Sequence, residues 1–485
     1  MQLINLINKY KNLSKPTKAS LWFVICSVVQ KGIAFVVTPI FTRLLFPEQY
    51  GVYNLYSTWL NIFTILITFN MSYGIFNNAM VKFEEDRDQY ISSMLGLMLL
   101  TSIIAFIVYF SFKDYINKLT GLSTFIMIAM LLKILFTPAQ NYWNAYQRYT
   151  FNYIALIILT LLMAFFTPLI SILLIMFVGM QADGRVLSAL IVQIIIGGCL
   201  WIVQFNRGKK LYIKAYWKFA LSLGIPLIPH YLAQIVLNSS DKIMISKICG
   251  DDYVGYYSIA YSIGMVIQLF SASVNNSLIP WTYQQLKLKS YDLLKRIVNI
   301  LLSFFALLIL LFIAFGPEFV KIMAPIEYYS ARWVIPPVAG SVFFVFLYTV
   351  FGNVEFYFGK TKQIAFASTA CAIANVILNL VSIPVFGFIA AGYTTLICYI
   401  FFSLFHYCMM NKICKKELPG VNVYNSRIIF LISIVFVILI VIFAILYDYA
   451  VLRYSFITLA GIILLIKRNY VNSFIKIILN SKGDK

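Results

Sequence analysis

Long apolar runs constrain this chain most, because a helix needs about 20 apolar residues to cross the hydrocarbon core of a bilayer. With 61% hydrophobic and 11% charged residues, the chain also has too little polar surface to face water over most of its area. The sequence therefore predicts an all-α polytopic membrane protein with about 14 transmembrane helices. The predicted spans are residues 19–42, 52–76, 91–112, 122–143, 151–177, 185–205, 219–246, 254–280, 293–315, 332–357, 362–384, 388–410, 426–447 and 451–468.

The basic residues support this count. Of the 38 Lys and Arg residues, 27 lie in the termini and in the loops on one side of the predicted membrane, and eight lie on the other side. Cytoplasmic loops carry an excess of Lys and Arg, so both termini are predicted to be cytoplasmic, with the first helix as the insertion signal. Topology explains the net charge of +21 without a nucleic-acid partner. The seven cysteines form no CxxC or Cys/His pair, so no metal site is expected.

An internal repeat is visible at a spacing of 204 residues. The segment "QKGIAFVVTPIFTRLLFPEQYGVYNLYS" aligns with "QIVLNSSDKIMISKICGDDYVGYYSIAY". The matched pairs are Gln30 with Gln234, Arg43 with Lys247, Glu48 with Asp252, Gly51 with Gly255 and Tyr53 with Tyr257. The spacing covers six spans, an even number, so the two halves have the same orientation in the membrane.

The repeat predicts an N-terminal lobe at residues 1–210, a C-terminal lobe at 211–412, and two extra helices with a basic tail at 413–485. Within each half, the matched carboxylate is expected at a helix start, where it favours the positive end of the helix dipole. The matched glycine, Gly51 or Gly255, is expected to permit a tight turn in a short external loop.

Several spans carry polar residues at helical spacing. In "PHYLAQIVLNSSDKIMIS", four of them are spaced by four residues and therefore share one face of a helix. They are His230, Gln234, Asn238 and Lys242. Other predicted polar positions on such faces are Gln30, Asn61, Gln268, Asn375 and Asn379. Polar faces from both halves predict a shared hydrated cavity, although a single Ser or Thr more often bonds neighbouring helices.

The ionisable residues within the spans favour the cavity. A Lys at the membrane centre costs about 2.5–3.5 kcal/mol and is retained where it is paired or functional. Lys31 and Lys133 have no acidic neighbour in the sequence, whereas Lys242 follows Asp241. Asp241 and Glu355 are the prominent intramembrane acids. The excess of cations predicts an anionic substrate group, such as phosphate or pyrophosphate. His406 is expected to be an ordinary packed histidine.

Three segments carry a family resemblance: "TPIFTRLLFPEQYGVYNLY", "GIPLIPHYLAQIVLNSSDKIMISKICGDDYVGYYSIAY" and "FYFGKTK". They resemble the polysaccharide transporter family of the multidrug/oligosaccharidyl-lipid/polysaccharide exporter superfamily, which includes O-antigen and capsule repeat-unit flippases. The resemblance covers about the first 410 residues. It implies two six-helix lobes in the bacterial cytoplasmic membrane. It further implies translocation of an undecaprenyl-pyrophosphate-linked oligosaccharide by alternating access, coupled to H⁺ or Na⁺ and without another cofactor.

The resemblance also implies roles for particular residues. The substrate-binding cations would be Lys31, Lys133 and Lys242, with Arg43 and Lys247 near the outer mouth and Arg148 and Lys360 near the inner one. The candidates for cation coupling are Asp241, Glu355 and His230, although Glu355 equally suits helix pairing. A polymerase and chain-length machinery of lipopolysaccharide assembly are the expected protein partners.

Three other functions are alternatives to the flippase. A multidrug antiporter shares the twelve-helix plan but should have an acidic cavity. A lipid II flippase is also expected to have cations and two extra helices. A membrane enzyme of polysaccharide assembly needs a catalytic group of residues, often on a large loop, and the sequence contains neither. The chain is therefore predicted not to be an enzyme.

Overall fold

The computed structural model describes residues 15–72, 74–359 and 361–466. Over these residues the chain is helical and contains no strand, as the apolar runs predict. Every predicted span overlaps a helix of the described residues. Ten helical stretches of the described part combine the length and the mean hydropathy needed to cross a membrane. The protein is therefore a multi-pass membrane protein.

The first half of the chain contains helices that are connected by short loops. They are α1 (Lys15–Leu44), α2 (Pro47–Thr68), α3 (Gly74–Lys82), α4 (Arg87–Ser111), α5 (Lys113–Thr120), α6 (Thr124–Tyr149), α7 (Tyr153–Val178) and α8 (Ala182–Gly208).

The second half repeats this arrangement and then adds two helices. Its helices are α9 (Lys214–Gly224), α10 (Ile228–Ile248), α11 (Asp251–Lys287), α12 (Tyr291–Ala314), α13 (Gly316–Met323), α14 (Ile335–Tyr357), α15 (Thr361–Phe386), α16 (Ile389–Glu417), α17 (Ser426–Ile445) and α18 (Ala450–Ile466). Three short 3₁₀ segments join some of them, at Ile225–Leu227, Ile326–Val334 and Leu446–Asp448.

Two predicted spans are interrupted. The predicted span 52–76 ends early, because Phe69 and Asn70 have positive φ angles of 51° and 49°, which an α-helix cannot accommodate. The predicted span 219–246 contains the 3₁₀ segment Ile225–Leu227. Pro226 lies within that segment, and proline cannot donate the backbone hydrogen bond of a continuous helix.

The chain divides into two compact units. The first unit comprises Met1–Ile259, Met323–Tyr328 and Ala372–Ala391. The second unit comprises Ala260–Ile322, Tyr329–Cys371 and Gly392–Lys485. The lobe boundaries near residues 210 and 412 remain a prediction from the repeat.

The core of the first unit is built where α2, α6 and α8 pack together. Leu55, Met130, Ile134 and Val186 are buried in one cluster there. In the second unit, α12 packs against α14 and α17, and the rings of Phe305 and Phe346 stack at a centroid distance of 4.3 Å. Both cores are therefore apolar side-chain contacts between long helices.

The two repeats meet through their matched glycines. A Cβ atom on Gly51 would collide with the backbone carbonyl oxygen of Asp251, and one on Gly255 would collide with that of Pro47. Both contacts respect the 204-residue offset, because Gly255 corresponds to Gly51 and Asp251 corresponds to Pro47. Such reciprocity is expected of a two-fold relation. The prediction that these glycines form turns was wrong: both lie inside helices, where they let two backbones approach closely.

Candidate functional site

Arg185 is the most unusual cation of the first unit. It lies in the first turns of α8, and its guanidinium carbon is 3.6 Å from the ring centroid of Tyr53 and 3.9 Å from that of Phe41. Its Nη1 atom is buried and has no hydrogen-bond partner among the described residues. Arg185 lines a cavity of about 360 Å³ among α1, α2, α7 and α8.

Lys133 is a second cation near these aromatic residues. It is half-buried in α6, and its Nζ lies 6.0 Å from the ring centroid of Tyr56. The Tyr53 and Tyr56 rings are 5.9 Å apart. In the described part of the chain, neither Lys133 nor Arg185 has a carboxylate within ion-pair distance. The first unit therefore holds cations that no carboxylate of the described residues neutralises.

The other predicted cations of the first unit are exposed or half-buried. Lys31, Arg43, Arg148 and Lys247 are exposed, and Lys242 is half-buried. Two of them contact backbone carbonyl groups. Arg43 Nη1 donates to Pro39 O at 2.8 Å, and Lys247 Nζ donates to Lys118 O at 2.5 Å, near the end of α5. Cations favour such carbonyl-rich helix ends.

Asp241 is the buried acid of the first unit, with 2% of its surface exposed. Tyr257 Oη donates to one carboxylate oxygen and Asn379 Nδ2 to the other, each at 2.6 Å. Asn379 Nδ2 also contacts Asn375 Oδ1 at 3.2 Å. Lys242 is close enough for its charge to interact with that of Asp241. The structure thus brings Asn375 and Asn379 close to Asp241, although both asparagines are more than 130 residues from it in the sequence.

Glu355 and His406 form a buried pair in the second unit. Glu355 Oε1 lies 2.8 Å from His406 Nδ1, and the two side chains are 0% and 1% exposed. The pair links α14 to α16, and Tyr348 stacks on the imidazole at 5.5 Å. The remaining polar atoms, Glu355 Oε2 and His406 Nε2, have no hydrogen-bond partner in the described part.

The remaining predicted polar positions are distributed over both units. Gln30 and Asn61 are exposed in the first unit, and Gln268 is half-buried in the second. Gln30 lines the same cavity as Arg185. Lys360 and the side chains of His230, Gln234 and Asn238 lie outside the described residues.

Another charged cluster anchors the C-terminal helices to the second unit. Arg453 of α18 is 2% exposed, and it contacts both carboxylate oxygens of Glu318, at 2.5 and 3.0 Å. Tyr454 Oη donates to the same carboxylate at 2.6 Å. Burial raises the pKa of Glu318, but the hydrogen bonds from Tyr454 and Arg453 outweigh burial, and the net pKa lies below its ordinary value.

Sequence reasoning gave no role to two of these residues. Arg185 and Arg453 lie at the starts of the predicted spans 185–205 and 451–468, and in the structure both belong to helices and pack against other side chains. One signal was available for both. Each is the fourth residue of its helix, where a cation opposes the helix dipole, so its presence there calls for a specific reason.

The fold defines a class of protein before any family is considered. A structure titled lipid II flippase MurJ, inward closed conformation, superposes with a TM-score of 0.66 at 16% identity, over 93% of this chain and all of that one. The inward-facing conformation of a multidrug resistance MATE family transporter of the MOP superfamily superposes with a TM-score of 0.63 at 11% identity, over 80% of this chain and 96% of that one. The chain therefore shares the fold of these two structures.

The family follows from the sequence. The model described as "Polysaccharide biosynthesis protein" matches residues 17–284, more than half of the chain, and the MatE model matches residues 226–381. The chain belongs to the polysaccharide biosynthesis protein family. It is also 22% identical to Lsg locus putative protein 1 of Haemophilus influenzae, over 78% of this chain and 93% of that protein.

Proposed function

We propose that this protein translocates an oligosaccharide linked to undecaprenyl pyrophosphate across the bacterial cytoplasmic membrane. The observation that carries the proposal is the pair of cations, Lys133 and Arg185, which lie in membrane helices of the first unit without a carboxylate partner in the described part of the chain. A buried cation without a counter-ion is costly unless a ligand or water satisfies it. If the transported molecule is a diphosphate, its negative charge is the counter-ion of these cations.

The physical task agrees with this assignment. A diphosphate and a sugar cannot cross hydrocarbon unaided, because each unpaired polar group costs several kcal/mol there. Cationic side chains that face water on one side of the membrane at a time lower this barrier. Lys31, Lys242, Arg43, Lys247, Arg148 and Lys360 are the further cations proposed to contact the cargo.

Asp241 is the proposed coupling residue. Its carboxylate is buried and accepts hydrogen bonds from two neutral groups, the Tyr257 hydroxyl and the Asn379 amide. A carboxylate in such surroundings can take up a proton or a Na⁺ ion and thereby lose its negative charge. For Glu355, the contact with His406 favours helix pairing over coupling.

Translocation can be measured in proteoliposomes that contain a polyprenyl-diphosphate-linked oligosaccharide. The exposed fraction of the glycan is followed with an impermeant glycosidase after an ion gradient is applied. We expect Lys31→Ala, Lys133→Met and Lys242→Ala to lower the rate at least tenfold at equal protein levels. Lys295→Ala should leave the rate unchanged, because Lys295 is paired with the exposed Asp292 of the same helix. Wild-type rates in all three cation variants would refute the proposal.

The ion dependence needs a separate measurement. With a proton or Na⁺ gradient as the only variable, Asp241→Asn should translocate at the same rate with and without the gradient, whereas the wild type should be faster with it. A variant that still responds to the gradient would remove Asp241 from the coupling role.

Lipid II is the alternative cargo, and it also carries a diphosphate. The family match to polysaccharide biosynthesis favours the oligosaccharide. Offering both lipids to the same proteoliposomes distinguishes them: faster movement of lipid II than of the oligosaccharide would reverse the assignment. A multidrug antiporter would instead transport organic cations, which the unpaired cations of the first unit would repel.

A further inference from the structure

The cavity of the first unit has the size and lining of a ligand pocket. Its volume of about 360 Å³ falls within the range of small-molecule sites, about 300–1,000 Å³. Its polar lining consists of one cation, one amide and several hydroxyl groups, with no carboxylate. It is therefore unsuited to a cation, and its polar groups make it unsuited to an acyl chain.

The orientation of Arg185 restricts what it can bind. Phe41 and Tyr53 lie close to its guanidinium, at 3.9 and 3.6 Å, in the range of contacts with the faces of aromatic rings. Because this packing covers the face of the guanidinium, its hydrogen bonds can form only through the N–H groups at its edge. Nη1 on that edge is buried and has no partner among the described residues. The edge of a guanidinium matches the two oxygens of a carboxylate or a phosphoryl group.

Two further polar groups of the same cavity lack their usual partners. Ser171 is 2% exposed, and its Oγ has no hydrogen-bond partner in the described part of the chain. Pro168 has no backbone N–H, so the carbonyl of Ala164 lacks the donor that a helix normally supplies four residues later. Both Ala164 and Pro168 line the cavity. Polar groups that lack partners in the lining of one cavity indicate a polar occupant.

We propose that this cavity binds a sugar that carries an oxyanion, either a carboxylate or a phosphoryl group. Arg185 contacts the anion through its guanidinium edge. Ser171 and the Ala164 carbonyl contact hydroxyl groups of the sugar ring. This inference rests on the proposed function, because an acidic sugar would reach the cavity as part of the transported oligosaccharide. It makes Arg185 a specificity-determining residue for acidic repeat units.

Binding can be tested without transport, using the purified full chain in detergent. The probes are glucuronic acid, glucose 1-phosphate, neutral glucose and glycerol 1-phosphate, which represents a phospholipid head group. Calorimetry should detect binding of glucuronic acid or glucose 1-phosphate, at least tenfold tighter than binding of glucose or glycerol 1-phosphate. Equal binding of glycerol 1-phosphate would assign the cavity to a lipid head group and overturn the proposal.

Substitutions locate the site. Arg185→Gln should weaken binding of the acidic sugar about 10- to 100-fold, the effect of losing hydrogen bonds to a charged group. Arg185→Lys should weaken it nearly as much, because an ammonium keeps the charge but lacks the planar pair of donors.

Ser171→Ala provides a variant that should fold normally, since it removes a buried hydroxyl that has no hydrogen-bond partner among the described residues. It should weaken binding about 2- to 10-fold without lowering the melting temperature.

Arg332→Gln is the matched control. Arg332 also packs against two aromatic rings, those of Tyr329 at 4.2 Å and Trp333 at 4.7 Å, but it lies in the second unit and is paired with Asp448. This variant should bind the acidic sugar as tightly as the wild type does.

The two proposals fail separately. Unchanged affinity in both Arg185→Gln and Ser171→Ala, or no preference for acidic over neutral sugar, would overturn the binding site. Intact binding of acidic sugar with no movement of a lipid-linked oligosaccharide would overturn only the proposed function.

Discussion

The two units treat charge inside the membrane in opposite ways. In the second unit, Glu355 is paired with His406, and Glu318 with Arg453. In the first unit, Lys133 and Arg185 pack against aromatic rings, and no carboxylate of the described residues pairs with them. A buried pair of polar side chains serves the fold, because removing one partner leaves the other buried without its hydrogen bond. A cation without a partner costs stability and is explained by a ligand.

The units also differ in how their helices approach each other. In the first unit, a Cβ atom on Gly51, Gly96, Gly208 or Gly255 would collide with a backbone carbonyl oxygen. In the second unit, the corresponding contacts of Gly264, Gly316, Gly340 and Gly392 are to side-chain atoms. The first unit therefore adds close backbone contacts to its apolar core, whereas these four glycines of the second unit meet side chains.

The largest effect is expected at the Glu355–His406 pair. His406→Leu leaves a carboxyl group buried without its partner and should lower the free energy of unfolding by about 3–5 kcal/mol. Denaturant titration in detergent would measure it. The double variant Glu355→Leu with His406→Leu should recover most of this loss, since it removes both polar groups. A His406→Leu protein as stable as the wild type would show that the pair does not stabilise the second unit.

The next largest effect is expected at Arg453. Arg453→Met removes hydrogen bonds from the Glu318 carboxylate and should cost about 1.5–3 kcal/mol. The control is Lys295→Met, which breaks an exposed pair and should cost less than about 0.5 kcal/mol. Equal losses of stability in the two variants would show that the buried pair contributes no more to stability than the exposed pair does.

A similar loss is expected from close packing in the first unit. Gly51→Ala should lower stability by about 1–3 kcal/mol, because the new methyl group meets backbone that cannot rotate away. Gly255→Ala should behave alike if the repeat contact is reciprocal. Gly352→Ala is the matched control, since nothing lies near its Cβ position, and it should be neutral or slightly stabilising. Stable Gly51→Ala and Gly255→Ala variants would argue against the repeat contact.

A smaller effect is expected from acid. The pKa of Glu318 is lowered in the folded state, so its contribution to stability is complete above the unfolded value of about 4.3. That contribution is lost as the pH falls through the lower folded pKa. The melting temperature of Glu318→Gln should therefore fall less steeply than that of the wild type below about pH 4.3. Parallel curves would exclude Glu318 as a source of acid sensitivity.

The smallest effect on stability is expected at Lys133. Substituting this residue directly tests whether the two units differ in how they treat charge. Lys133→Met removes a half-buried cation that has no carboxylate partner in the described part, so stability should change by less than about 1 kcal/mol or increase. Translocation should nevertheless fall. A strongly destabilised Lys133→Met protein would show that Lys133 stabilises the fold, as the paired residues of the second unit do.

The membrane helices and the repeat could be predicted from the sequence alone. Hydropathy over about 20 residues reports burial in lipid directly, so every predicted span overlaps a helix of the described residues. The 204-residue offset identified Gly51 and Gly255 as a pair, because repeated segments keep repeated contacts. The helix interruptions were harder to predict from the sequence, since the positive φ angles at Phe69 and Asn70 depend on packing beyond their neighbours.

The pairing of ionisable side chains could be seen only in the tertiary structure. Glu355 and His406 are 51 residues apart, and Glu318 and Arg453 are 135 apart, so the sequence gives no sign that they meet. Arg185 lies at the start of a predicted span, and its role depends on aromatic rings from two other helices. Charge composition is a property of the chain, whereas charge compensation depends on distances of a few ångströms between helices, which only folding sets.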